Sequence, residues 1–424
     1  MGQDPCRVIL NQGNHEFGEI KNLGERGVPV ALDMDHDGDL DLAVGVLLGN
    51  IILFRNDGGG EFTSDGMPPV PAGGGAFSRT LTAGDVNEDG FLDLVWSDSD
   101  QVRVSLRNAA GEFDLPLQLR TKSWVGSLLA GDWNRDGKPD LATFGDVFSL
   151  YLNDGTGSLG RPALSDETGG SLTAGDFDGD GDLDLALITV TPGTWTSNAT
   201  VLLNDGNGKF PDRRETGAAD GFMFGSIVAA VANRDGKLDL VVGAASSQTS
   251  RWLLSLINSG DGTFFESPMV AIPEDSYYVT AGDVNGDGFA DAVVPQRSAS
   301  TVTVYLNQGD GSFEERGVFE AATDVRAPVV VVDLDGDGAL DLAVPYDLGG
   351  VSVLRNLGNG DFAPARKYTV GGGPSDILAA DVDGNGSLDL VIPCSSPTVV
   401  SVLLNRGDGN FFRHRSFPIG TSPE

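Results

Sequence analysis

Apolar residues in this chain fall in short runs, many alternating with polar ones, and each run is closed by Gly, Asp or Asn. Runs of this kind predict strands, and no long window carries a helical period. The runs keep a fixed order. A small-residue run such as SLTAGD or PVVVVD leads into an acidic loop, and a run such as LDLAVGV or LDLAVPY follows. A polar turn then gives an alternating strand such as VSVLLN or VTVYLN, and an Asn–Gly turn opens a fourth strand, usually at Phe. Asn-Gly and Asp-Gly supply the left-handed residues that tight hairpins require.

This order repeats. One string reads DMDHDGDLD from Asp33, DVNEDGFLD from Asp85, DWNRDGKPD from Asp132, DFDGDGDLD from Asp176, VANRDGKLD from Val231, DVNGDGFAD from Asp283, DLDGDGALD from Asp333 and DVDGNGSLD from Asp381. The starts lie 52, 47, 44, 55, 52, 50 and 48 residues apart, the period of four-stranded propeller blades. A second string alternates with it, from NQGNHEF at Asn11 through NDGGGEF at Asn56 and NAAGEF at Asn108 to NRGDGNF at Asn405.

The expected fold is therefore all-β: a single propeller of four-stranded antiparallel blades, because one such sheet cannot bury its faces alone and radial stacking does so. Eight units are expected, at about 22–66, 67–118, 119–164, 165–214, 215–268, 269–319, 320–366 and 367–418, with seven blades the alternative. An extra N-terminal hairpin at 6–20 would be able to close the ring against the last unit and bring Cys6 opposite Cys394, although that unit's own hairpin at 399–412 is equally competent.

Composition narrows the function. The 424 residues carry 62 Asp and Glu against 27 Lys and Arg, a formal charge of −35, which argues against a nucleic-acid partner. Two cysteines give no disulfide framework or CxxC motif. No signal peptide is visible in MGQDPCRVIL, and no apolar run approaches membrane-spanning length. The acidic residues recur at fixed offsets rather than in blocks, which asks for a local cause.

That cause is a hard cation. With the first residue of each acidic string taken as position 1, Asp or Asn at positions 1, 3, 5 and 9, and Gly at position 6, converge oxygens as calcium requires. The expected ligands are Asp33, Asp35, Asp37 and Asp41; Asp85, Asn87, Asp89 and Asp93; Asp132, Asn134, Asp136 and Asp140; and Asp176, Asp178, Asp180 and Asp184. They continue as Asp283, Asn285, Asp287 and Asp291; Asp333, Asp335, Asp337 and Asp341; and Asp381, Asp383, Asn385 and Asp389. About seven calcium ions are expected, with loop 5 empty or weak because Val231 replaces its first ligand. A single Asp-Gly turn would need no metal, but seven concordant loops do not read as chance.

The DxDxDGxxDL loops and NxGxGxF turns resemble the FG-GAP and VCBS repeat families over nearly the whole chain. Integrin α-subunit propellers, some fungal lectins and many bacterial secreted proteins look like this. The resemblance implies a propeller with calcium in the hairpin loop between the first two strands, and no unique ligand.

Strand alternation puts the acidic loops and Asn–Gly turns on one face and the more variable loops on the other. The variable face offers Arg79, Trp124, Trp195, Phe224, Trp252, Tyr277, Tyr278 and Arg326 as candidate anchors for a glycan or protein ligand, against the alternative that they pack between blades. The Arg406-Gly407-Asp408 tripeptide reads as a turn, and Asn198-Ala199-Thr200 as a glycosylation sequon on a loop. No GxSxG, Walker or HExxH motif occurs. The expected function is that of a non-enzymatic, monomeric, extracellular or cell-surface binding or adhesion module. A polysaccharide lyase or hydrolase, or a purely structural scaffold, is the alternative.

Overall fold

The computed structural model describes residues 28–45, 51–66, 78–98, 101–121, 125–145, 147–160, 162–164, 169–190, 197–217, 222–246, 250–274, 276, 279–297, 299–321, 325, 329–396 and 398–418. Every element among them is a strand, and the strands form eight antiparallel sheets. Blades 1 to 8 cover 28–66, 78–120, 125–164, 169–217, 222–272, 280–320, 330–369 and 372–418, each using only its own contiguous strands. In blade 1 these are Val28–Leu32, Asp41–Gly45, Ile51–Asn56 and Phe62–Gly66.

The first strand of each blade lies beside the first strand of the next, and that of blade 8 lies beside that of blade 1. The sheets thus form a closed ring of eight, a β-propeller. Closure buries one continuous cluster containing Val391 and Val402 of blade 8, Val30 and Leu42 of blade 1, and Leu94 and Trp96 of blade 2. Glycine at the end of the first strand lets neighbouring blades approach: a Cβ on Gly131 would lie 2.7 Å from Leu183 Cδ2, and one on Gly175 would lie 2.6 Å from Leu238 Cδ1.

Blade 8 is completed by its own strands Thr398–Leu403 and Arg415–Pro418, and the residue across from Cys394 is Val399. This corrects the idea that the early hairpin supplies those strands. Cys394 is a buried free thiol; Cys6 and the hairpin 6–20 lie outside the described residues.

Candidate functional site

The Asp at position 9 is the best-buried acid of each loop. Asp41, Asp93, Asp140, Asp184, Asp239, Asp291, Asp341 and Asp389 are all at most 1% exposed. One oxygen of each accepts the N–H of position 2 in its own loop, as Leu334 donates to Asp341 at 3.0 Å. The other accepts the N–H of the residue opening the Asn–Gly turn, as Asn356 donates to Asp341 at 2.7 Å. Asp239 makes the same pair of bonds, from Ala232 at 2.9 Å and Asn258 at 2.8 Å, although its loop begins with Val231. The bonds therefore do not depend on a complete acidic loop. Burial pushes these carboxyls up, Asp93, Asp140, Asp184 and Asp341 to about 6 and Asp291 and Asp389 to about 7, while the two backbone donors pull the other way.

The turn Asn joins neighbouring blades. Asn153, Asn204, Asn258, Asn307, Asn356 and Asn405 donate Nδ2, at 2.7 to 2.9 Å, to the position 2 carbonyl of the preceding blade. Asn56 does the same to Val382 of blade 8, across the closure of the ring. A belt of hydrogen bonds thus runs from Asp to position 2 to Asn and on to the next Asp. It is broken at the blade 1–2 seam. There Arg107, not Asn108, occupies the Asn slot: its N–H donates to Asp93 at 2.7 Å, and it bridges Phe113 as Asn356 bridges Phe362. The turn motif in blade 2 is therefore RNAAGEF, and Asn108 instead caps the turn, accepting the N–H of Ala110 at 2.9 Å. The equal spacing from Arg107 to Phe113 and from Asn56 to Phe62 was the available signal.

Positions 1 and 3 join position 9 in four loops. Asp33, Asp35 and Asp41; Asp176, Asp178 and Asp184; Asp333, Asp335 and Asp341; and Asp381, Asp383 and Asp389 each bring one oxygen within 4.8 Å of the others. Position 1 also folds the loop: Asp333 accepts the N–H of Gly336 at 2.7 Å and of Gly338 at 2.9 Å. In loops 2, 3 and 6, position 3 is Asn87, Asn134 or Asn285, whose amide donates to Asp89, Asp136 or Asp287 at 2.9 to 3.1 Å. Position 5 is not part of the compact triads; Asp37 and Asp337, for example, are exposed and accept the N–H of position 7 at 2.9 and 2.8 Å. In loop 8, Asn385 accepts the N–H of Ser387 at 2.7 Å.

The triads fit a hard cation. Asp33 Oδ1, Asp35 Oδ1 and Asp335 Oδ1 are buried without a hydrogen-bond partner, which is costly for carboxylates unless a cation faces them. Arg55 and Arg355 hold the other oxygen of Asp35 and Asp335, at 3.1 and 3.3 Å. Position 4 adopts a left-handed conformation in the seven loops that keep an Asp at position 1, with φ of 60° at His36, 58° at Glu88 and 57° at Arg135, and glycine in loops 4, 6, 7 and 8. Arg234 of loop 5 does not share it.

The ligand candidates on the other face fare differently. Phe224 is 4% exposed within the blade 4–5 core, so burial removes it as an anchor; Trp252 is half-buried against the same cluster. Trp124, Trp195, Tyr277, Tyr278, Arg326 and the Arg79 side chain lie outside the described residues. Asn198 lies in the strand Ser197–Leu203, paired with Thr189 and Gly217, rather than on a loop. Arg406-Gly407-Asp408 is the blade 8 turn, with Gly407 donating to Asn405 Oδ1 at 3.0 Å.

Fold and loops together define an eight-bladed propeller with acidic hairpin loops. The FG-GAP-like repeat matches at residues 33–96, 85–143, 176–242, 232–294, 296–344 and 333–392, more than half of the chain, and the chain belongs to that family. Among solved structures, the Dos1 propeller is similar at 11% identity, covering 88% of this chain and 91% of that one, with a TM-score of 0.58. An Agrocybe aegerita lectin recognising non-reducing terminal N-acetylglucosamine is 19% identical over 92% of this chain and 93% of its own, with a TM-score of 0.49. BBS1N, solved in complex with ARL6DN, is 11% identical over 77% and 92%, with a TM-score of 0.48. No curated protein sequence matches the chain.

Proposed function

We infer that this propeller is a calcium-stabilised binding module that works outside the cell or at its surface, taking a glycan or protein ligand without chemical turnover. The observation that carries the calcium reading is the set of four carboxylate triads, two of which hold buried oxygens with no donor. Oxygen-only ligands on a flexible loop suit calcium; zinc would draw His or Cys, and magnesium a stricter octahedron. Millimolar calcium outside cells fills even weak loops of this kind.

A closed ring with seven side-chain links between blades supports recognition on loops held by a rigid scaffold. Each position 9 carboxylate is engaged by two backbone donors, which leaves it poorly suited to acid–base work. The test is thermal unfolding in EDTA and in millimolar calcium, with bound metal counted by elemental analysis, followed by a glycan array and a depolymerisation assay on acidic polysaccharides. Bound calcium, a raised midpoint and ligands without turnover are expected. No metal and no shift would remove the calcium reading, and chain cleavage would replace binding with catalysis.

A further inference from the structure

Loop 5 differs from its neighbours in more than its missing first ligand. Its Val231 carbonyl accepts the N–H of Ala290 in loop 6 at 3.0 Å, and Asn233 forms an antiparallel bridge with Asp310 in the blade 6 turn. Among the isolated bridges between described residues, this one alone joins two blades. Leaning onto blade 6, loop 5 walls a cleft of about 470 Å³ that also includes Asn285, Asp287, Phe289 and Gln308.

Four Arg and Lys residues lie inside the acidic loops. Arg135 pairs with Asp182, Lys138 with Asp136 and Lys237 with Asp235. Arg234, the fourth, has no carboxylate partner among the described residues and lies over the Phe289 ring at 5.7 Å. A guanidinium over a ring keeps N–H groups for another acceptor, and their fork matches a carboxylate in two parallel bonds. Gln308 is exposed beside it and donates Nε2 to the Leu306 carbonyl at 3.2 Å, so its Oε1 is offered to a hydroxyl group.

We propose that the blade 5–6 cleft binds an acidic saccharide, with the uronate carboxylate on Arg234, a hydroxyl on Gln308 and the sugar's C–H face toward Phe289. Loop 5, which lacks a carboxylate at position 1, serves as a ligand wall. This rests on the reading of the chain as a glycan-binding module.

The experiment is calorimetric titration of the calcium-loaded full chain with a galacturonate tetrasaccharide, its methyl ester and a neutral galactose tetrasaccharide. The free acid binds, and the methyl ester and neutral sugar bind about tenfold or more weakly. Arg234→Gln weakens the acid by a similar factor, Gln308→Ala weakens it less, and both keep the wild-type melting temperature and calcium count. No binding of the acid, equal binding of acid and ester, or unchanged binding by Arg234→Gln overturns the proposal. Binding of other glycans that ignores Arg234→Gln would sink this site alone, whereas a blank glycan array would remove the glycan reading on which it rests.

Discussion

Asn405 on blade 8 donates Nδ2 to the carbonyl oxygen of Leu334 on blade 7, 2.7 Å away, and to that of Leu388 on its own blade at 2.9 Å. Leu334 in turn donates its N–H to Asp341. One amide therefore ties two acidic loops together, and its equivalents repeat at six other seams.

Asn405→Ala strands both carbonyls and is expected to cost about 2–4 kcal/mol. Denaturant unfolding measures it. A variant as stable as wild type would show that the belt adds nothing to the packing between blades.

Asp335→Asn removes a charge from one triad and leaves the position 9 bonds of Asp341 in place. The variant should fold in EDTA like wild type but hold one calcium ion fewer. Elemental analysis after gel filtration decides this, and an unchanged calcium count would remove loop 7 from the metal sites.

Stability without metal should fall as pH rises. Burial raises all eight position 9 carboxyls, six of them to about 6 or 7, above the roughly 3.9 of an unfolded Asp. A raised carboxyl favours folding fully below the unfolded value, and that contribution is lost as pH climbs through the folded one. In EDTA the melting temperature should drop between about pH 4 and 7, and the stabilisation by calcium should grow over the same range, because metal binds the ionised form. A flat metal-free profile would contradict this.

Cys394 is buried beside Ser401, and burial pushes its thiol up to about 11. Alkylation at pH 8 should spare it in the folded protein and reach it on unfolding, as peptide mapping would show. Rapid labelling of the native chain would mean that blade 8 opens locally.

Blades and loops can be read from the residues alone, because both are local. Runs of period two, left-handed glycines and acids at alternate positions act within one repeat, so eight copies announced eight blades. The departure of loop 5 from the other seven was also legible, at Val231. What crosses a seam depends on how the blades pack in the ring. Asn153 and Val86 are 67 residues apart, and no local pattern pairs them. The same holds for the position 9 Asp, expected as a metal ligand and found to accept two backbone N–H groups, and for Phe224, which looked like a surface anchor until a neighbouring blade covered it. Arg107 was hidden by the adjacent Asn108, since motif spelling cannot tell which of two residues faces the buried Asp93. The cleft beside Arg234 arises from two loops on different blades, where backbone pairing and stacking, not spacing, set the geometry.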